Sequence, residues 1–600
     1  MAIPLTEEEL LLIEEARTWI DDDPEAHTRD ELQRLLKVIE NPDNSSDSKG
    51  RSSQALGDLK DRFSGTLEFG TAGLRGAIEA GPNRMNRSVV IKAAAGLGAY
   101  LVEQLPGATP QVVIGYDARH YSKQFALDSA AVLTGAGCSV TMLNHALPTP
   151  VLAYTMKRLG ADAGIVVTAS HNPPQDNGYK VYLGGRVVTD AGQGAQIVPP
   201  YDRDIAKHIA GIGRVRDVAM PHSGWFTLDD SAVTKYVDAV LTLKEPSPRN
   251  LKIILTPLHG VGGSVVDKVL HRAGFEHLIS VAEQYEPNPD FPTVSFPNPE
   301  EPGAIDLALT YAMRFAGDIV IANDPDTDRC AVAVKDPRTA AAHAHRVTTP
   351  QAAGWRMLHG DEVGSLLGNV IAERTVAQGH SGSDAVLANS IVSSRLLGKI
   401  AAKHGLGYSS TLTGFKWISR AENLVYGYEE ALGYCVAPEL VKDKDGISAA
   451  LVVAQLAATL KAEGRSIIEY LDDLAREHGL HLTDQLSARF TDLSKIPQTM
   501  TRLRSAPPST IAGSPVVEVV DLSTGYNGLP PTDGLLLLTE DDTRVIVRPS
   551  GTEPKVKCYI EVIEDVTPDA DFATLSTTRK VARDKITAVR QDMSTALGLN

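Results

Sequence analysis

An α/β chain of several domains is what this sequence predicts, and three observations predict it. From about Phe63 onward, short apolar runs bounded by polar turns alternate with segments of helical periodicity. Two apolar strands, each ending in a polar loop, recur three times along the chain: Val112 to Asp117 with Gly164 to Ser170, Leu251 to His259 with Asp318 to Asp328, and more weakly Ala385 to Ser394 with Leu424 to Glu430. A length of 600 residues is enough for several independent cores, so the recurrence reads as three related α/β domains.

Ahead of them, residues 6 to 40 read as two helices, the first opened by a capping box between Thr6 and Glu9. Asp43 to Ser53 is rich in Ser, Asp and Gly and reads as a flexible connector. Residues 337–354, with Ala-Ala-Ala-His-Ala-His inside, read as a surface insertion between the second and third domains, and His343 and His345 as solvated loop histidines. Gly446 to Ala462 is an apolar, helix-favouring run too short to span a bilayer and belongs to a core. After about residue 480 the pattern changes to a hairpin, Arg544 to Val547 and Lys555 to Val562, followed by a charged helix. The expected divisions are 1–62, 63–205, 206–340, 341–478 and 479–600.

Composition excludes several function classes. Apolar residues make up 43 % and charged residues 22 %, the balance of a soluble globular chain with no membrane partner. The 58 Lys and Arg against 75 Asp and Glu give a net charge of −17, which argues against a nucleic-acid surface. Cations that meet an anionic small substrate must therefore be gathered locally. Four scattered cysteines suit neither a zinc site nor a disulfide framework, and the acidic start of the chain is unlike a signal peptide, so a cytoplasmic protein is expected.

Chemistry concentrates in four loops. Thr168-Ala-Ser-His-Asn-Pro-Pro174, with Lys180 just beyond, follows the apolar strand Ala163 to Val167, which puts Ser170 on a stiff loop at a sheet edge, presented to solvent. Asn172 and Asn177-Gly178 suit bends. A serine is a poor nucleophile alone, so another group must activate it. Asn323-Asp-Pro-Asp-Thr-Asp-Arg329 follows a second strand with Asp324, Asp326 and Asp328 at alternate positions, hard oxygen ligands suited to Mg²⁺. It is not an EF-hand, because Arg329 and Lys335 stand where glycine and glutamate belong. Arg548 to Thr552 offers a guanidinium, two hydroxyls and backbone N–H groups that fit a phosphate, without the Gly-Lys-Ser/Thr of a nucleotide P-loop. Phe69 to Gly76 places Arg75 among glycines.

Together with Tyr428-Glu-Glu-Ala-Leu-Gly433, these segments resemble the α-D-phosphohexomutase superfamily in order and over the chain from about residue 63 to its end. Thr256-Pro-Leu-His-Gly260, Thr413-Gly-Phe-Lys-Trp417 and the N-terminal helices resemble its phosphoglucomutase and phosphopentomutase branch. The resemblance implies a heart-shaped enzyme of four domains, three related α/β domains and a C-terminal α+β phosphate-binding domain, around one cleft. It implies that Ser170 carries a phosphoryl group and joins Asp324, Asp326 and Asp328 around Mg²⁺. Arg75 and Arg329 offset charge, Lys180 and His171 handle protons, and Glu429 grips sugar hydroxyls. Thr413, Gly414 and Lys416 lie against the sugar or its phosphate, while Arg548, Ser550, Gly551 and Thr552 hold the phosphate that is not reacting. The implied reaction interconverts glucose 1-phosphate and glucose 6-phosphate through glucose 1,6-bisphosphate, with mannose or pentose phosphates as alternatives, in a monomer or homodimer. Ala431 departs from the pattern, since many members have serine there, which removes one hydroxyl contact to the sugar.

Three other readings compete. A haloacid-dehalogenase-type phosphatase would phosphorylate Asp324, but Asp328 stands where that motif has Thr or Val, and the Ser170 loop is left unexplained. A non-catalytic sugar-phosphate sensor has no need of Ser170, Lys180 and all three aspartates. A Ser-His-Asp hydrolase is disfavoured because Ser170 is not in Gly-x-Ser-x-Gly.

Overall fold

The computed structural model describes residues 5–40, 48–70, 73–340, 349–490, 494–550 and 555–599. Three N-terminal helices, Glu7–Asp22, Ala26–Glu40 and Ser48–Arg62, form a small cluster on one apolar stripe each, with Ile13, Leu32, Leu36, Ile39 and Leu59 buried together. The Thr6–Glu9 capping box is present. The third helix occupies residues 48–53, where a connector was expected. Its opening is polar, and only Ala55, Leu56 and Leu59 in the later turns carry the stripe that seats it.

Three sheets then repeat one topology. In the first, Asp176–Leu183, Ala163–Val167, Gln111–Tyr116 and Ser139–Met142 lie side by side, the last three parallel and the first antiparallel. The second sets Ala331–Lys335, Ile319–Ala322, Ile253–Thr256 and Leu278–Ser280 in the same order, and the third sets Gly433–Cys435, Leu424–Glu429, Gly382–Ser390 and Leu406–Thr411. Each parallel core is covered on both faces, which is why Ala163–Val167 and Ile319–Ala322 are apolar and buried throughout. In every sheet the strand that turns back antiparallel is preceded by a loop at the carboxyl end of a parallel strand. Those loops carry Ser170 and the aspartates, and in the third sheet Glu429 closes the strand just before the loop.

Two strands cross the expected divisions. Phe226–Thr227, beyond residue 205, pairs with Ser139–Met142 at the edge of the first sheet. Trp355–Met357, beyond residue 340, pairs with Ala331–Lys335, so the second sheet extends past that division. His343 and His345 lie outside the described residues.

The last sheet, antiparallel and six-stranded, runs Leu480–Arg489, Lys555–Glu564, Arg544–Pro549, Leu535–Thr539, Ser514–Asp521 and Thr510–Ile511, backed by the helix Phe572–Leu597 through Leu575, Ala582, Ile586, Val589 and Met593. The hairpin and closing helix stand where the sequence put them. Gly446–Ala462 is a buried core helix. No single helix among the described residues is long and apolar enough to cross a membrane.

One buried carboxylate ties the fourth domain to the third. Glu561 accepts from Ser394 Oγ and Arg395 N, both at 2.8 Å, and from Arg395 Nε at 2.6 Å, with Arg544 and His481 each 3.1 Å away. Burial opposes its ionisation, but Arg544, His481 and Arg395 outweigh that and hold it well below the usual range. Glu561→Gln is expected to destabilise the chain by about 3 kcal/mol, read from the urea midpoint of its first unfolding transition. Because the folded group is depressed, its contribution is complete above the ordinary glutamate range and shrinks as pH falls below it, so wild type and variant converge in acid.

Candidate active site

Strand Ala163–Val167 delivers the chain into a tight loop in which Thr168 Oγ1 accepts Ser170 N at 2.8 Å and Ala169 O accepts Asn172 N at 3.0 Å. Ser170 itself is left-handed, with φ 50°. It is not presented to solvent as expected but is 1 % exposed. The loop folds under the second domain, and Ser170 Oγ donates to Asp324 Oδ2 at 2.7 Å, with His171 Nδ1 3.2 Å away. Asn177-Gly178, expected at a bend, lies in the strand Asp176–Leu183. Gly178 is required there: a Cβ would stand 2.6 Å from Thr168 O and 2.7 Å from Leu74 O.

Asp324, Asp326 and Asp328 converge, buried, with their ligand atoms within 4.8 Å of one another. Each carboxylate divides its two oxygens. Asp326 Oδ2 takes Lys180 Nζ at 2.8 Å and Thr149 Oγ1 at 2.7 Å, and Asp328 Oδ2 takes Lys180 Nζ at 2.8 Å with Lys444 Nζ at 3.2 Å. Asp326 Oδ1 and Asp328 Oδ1 are buried without a hydrogen-bond partner, the vacant hard donors that a divalent cation fits. Burial raises Asp324 well above the usual carboxylate range, and the other two aspartates add to it. For Asp326 and Asp328 burial acts the same way, but Lys180 reverses it and keeps both low.

Cations surround this cluster. Arg75, on Leu74–Ala77, is half-buried, with Nη1 3.3 Å from Asn172 Oδ1 and its Nε buried and unpartnered. Arg329 Nε stands 4.0 Å from Asp324 Oδ2; burial opposes its charge, yet Asp324 and Glu429 hold it firmly protonated. His171 is depressed well below its ordinary value by burial and by Arg329 and Arg75, so it is neutral. Lys180 is held cationic: burial opposes the charge, and Asp326 and Asp328 overcome it.

A cleft of about 610 Å³ brings these groups together with the remaining expected residues, being lined by Arg75, Ser170, His171, Arg329, Thr413, Gly414, Lys416, Glu429, Arg548 and Ser550. Lys416 Nζ donates to Gly70 O at 3.2 Å, joining the third domain to the first. Gly551 and Thr552 lie outside the described residues.

Sequence reasoning missed several groups. Arg119 threads beneath the serine loop, Lys444 reaches Asp328 from the third domain, and Glu430 lies beside Glu429, with its Oε2 accepting from Ser393 Oγ at 2.8 Å. Arg119 and Lys444 had a signal: a polar Asp-x-Arg at the end of the strand Gln111–Tyr116, and Lys442-Asp-Lys-Asp-Gly446 ahead of an apolar helix.

Comparison with known proteins agrees with this geometry. Residues 66–213, 234–337 and 359–478 match phosphoglucomutase/phosphomannomutase alpha/beta/alpha domains I, II and III, and residues 507–567 match the C-terminal domain of the same family. The chain is 42 % identical over 491 residues to a probable phosphomannomutase of Haemophilus influenzae, covering 81 % of this chain and 95 % of that protein. The chain belongs to the phosphohexomutase superfamily. Within it, a probable phosphoribomutase of Schizosaccharomyces pombe is 34 % identical over 90 % of this chain and 92 % of its own length. A phosphoglucomutase of Staphylococcus haemolyticus is 31 % identical over 84 % and 91 %. This phosphohexomutase is therefore an enzyme of the isomerase class, and its relatives carry the names of three different sugars.

Proposed function

We propose that this phosphohexomutase interconverts glucose 1-phosphate and glucose 6-phosphate through a phosphorylated Ser170 and a glucose 1,6-bisphosphate intermediate. The observation that carries the reading is the meeting of Ser170 Oγ with the aspartate cluster, 2.7 Å from Asp324 Oδ2, inside a cleft that also holds Arg548 and Ser550. Asp324, Asp326 and Asp328, with the phosphate on Ser170, would hold Mg²⁺, which when bound supplies Lewis-acid neutralisation of phosphoryl oxygens. The protein's own residues do the rest. Arg75 and Arg329 balance the remaining phosphoryl charge. His171, neutral and 3.2 Å from Ser170 Oγ, relays one proton between the two oxygens: it takes the Ser170 proton as Ser170 attacks the bisphosphate and gives it to the departing sugar oxygen, and in the opposite transfer it takes the sugar hydroxyl proton and gives it to Ser170 as Ser170 leaves. Lys180 stays a cation beneath Asp326 and Asp328. Glu429 accepts sugar hydroxyls. Arg548, Ser550, Gly551 and Thr552 grip the distal phosphate in either orientation of the sugar, so the bisphosphate can turn over without leaving.

The Thr413-Gly-Phe-Lys-Trp417 segment resembles the branch that holds phosphoglucomutases and phosphopentomutases, and glucose is taken as the substrate within it. Ala431 favours a second reading, ribose 1-phosphate to ribose 5-phosphate, because it removes a hydroxyl that could grip a hexose. The deciding measurement is kcat/KM for glucose, mannose and ribose 1-phosphates with a trace of glucose 1,6-bisphosphate. Glucose is expected to lead by about tenfold or more. A lead for mannose or ribose replaces the sugar, and no turnover of any of them removes the mutase reading.

A further inference from the structure

Arg119 leaves the strand Gln111–Tyr116 after one turn and runs beneath the serine loop with its side chain 1 % exposed. Its guanidinium has five N–H donors in a fixed plane. Four of the contacts they make are to main-chain carbonyls of a single loop. Nη2 donates to Ser170 O at 2.7 Å and to Asn172 O, while Nη1 donates to Pro173 O at 2.7 Å and to Asp176 O at 3.2 Å. Nε faces Asp117 Oδ2 at 3.4 Å, and Asp117 is itself fixed by Ser122 Oγ at 2.6 Å. The ring of Phe291 closes the other side, 5.0 Å from the guanidinium carbon. Phe291 belongs to the second domain, the one that carries Asp324.

This arrangement does more than fill space. Ser170 is left-handed, a conformation a serine holds only when its surroundings impose it. The carbonyl Arg119 holds at 2.7 Å is that of Ser170 itself, so the guanidinium fixes the peptide plane next to the Cα that aims Oγ at Asp324. Phe291 registers the same guanidinium against the second domain. Arg119 thus adds a link between the serine loop and the second domain to the contacts that Lys180 and Thr149 make with the aspartates.

We infer that Arg119 is the positioning residue that sets the Ser170 hydroxyl against the aspartate cluster, by gathering the carbonyls of the serine loop under a guanidinium stacked on Phe291. It touches neither substrate nor the reacting oxygen, and its effect belongs to the phosphoryl-transfer step. The inference rests on Ser170 being the phosphoryl carrier.

The test uses the full-length enzyme and three variants, Arg119→Ala, Arg119→Lys and Phe291→Leu, with Ser170→Ala run in parallel. Arg119→Ala is expected to lose about 100-fold in kcat, the size of a misplacement of roughly 1 Å at a reacting group, with KM for glucose 1-phosphate within about twofold of wild type. Free guanidinium, at concentrations that leave the wild type unaffected, should restore about tenfold of that loss, one factor of ten being 1.4 kcal/mol. Arg119→Lys should remain slow, because a single ammonium cannot reach all four carbonyls at once. Phe291→Leu should lower kcat in the same direction by less. Wild-type kcat in Arg119→Lys overturns the inference, as does a rise in KM that matches the loss of kcat, or an Arg119→Ala enzyme with a wild-type circular dichroism spectrum that guanidinium does not revive. Should Arg119→Ala fail to fold, Arg119→Lys and Phe291→Leu decide alone by the same split of kcat from KM. Activity in Ser170→Ala would defeat the carrier reading itself; an inactive Ser170→Ala beside fully active Arg119 variants would defeat only the role given to Arg119.

Discussion

Replacing Ser170 by alanine is expected to lower mutase turnover by on the order of 10⁴-fold or more, the scale at which removing a covalent nucleophile leaves only binding and electrostatics. The change deletes one oxygen from a buried site. Asp324 loses its 2.7 Å donor but keeps Arg329 N at 3.0 Å, so the unfolding midpoint should move by no more than about 1 to 2 kcal/mol. Activity and stability therefore separate. The same variant sorts the competing readings. An Asp324 nucleophile would survive it, and its acyl phosphate would be cleaved by hydroxylamine, whereas a phosphoserine resists both hydroxylamine and acid. A Ser-His-Asp hydrolase would also die, but among the described residues no carboxylate hydrogen-bonds His171, and such a base needs one to orient it. The check is turnover of glucose 1-phosphate together with the mass of the peptide containing Ser170, which should carry one phosphoryl group in the wild type and none in the variant. Full turnover by Ser170→Ala would end the mechanism.

Which parts of this site were legible in the sequence follows from how local each one is. The serine and aspartate loops are contiguous, and each follows a strand whose unbroken apolar run marks it as buried on both faces, so residue type and position alone placed them. The burial of Ser170 was not legible, because it depends on a second domain closing over the loop from 154 residues away. Arg119 and Lys444 escaped for the same reason: a single cation gains its role from carbonyls and carboxylates that only the tertiary fold brings to it. Edge strands such as Phe226–Thr227 are two residues long, shorter than any alternation can register. The helix Ser48–Arg62 was hidden by its own first turns, where Ser, Lys and Gly read as linker although the later leucines seat the whole element. The matching order of strands in the three sheets was foreshadowed by spacing of strands and loops, while the residues themselves showed no repeat.

Stripping divalent cations by dialysis against EDTA should lower turnover by about 10³-fold or more, with recovery on adding Mg²⁺, because charge neutralisation is most of what phosphoryl transfer asks of a protein. The oxygens explain why the loss should be specific. Lys180 occupies Oδ2 of both Asp326 and Asp328 and leaves both Oδ1 atoms bare, so the lysine supports the site without filling it. Asp326→Asn and Asp328→Asn should each lose the response to added Mg²⁺. Stability supplies a second reading of the same event. At a hundredfold excess over its dissociation constant, a cation that binds only the folded chain adds about 2.7 kcal/mol. The sign with pH follows from Asp324, whose folded value is raised when no cation is bound. In that state the folded chain holds a proton that the unfolded chain has released, so ionising Asp324 as pH rises costs stability; a cation takes the place of the proton and removes the cost. The gain in melting temperature on adding Mg²⁺ should accordingly be small in acid and grow toward neutral pH. An EDTA-treated enzyme that keeps its full rate, or a melting-temperature gain that falls as pH rises, would show that the three aspartates serve something other than a cation.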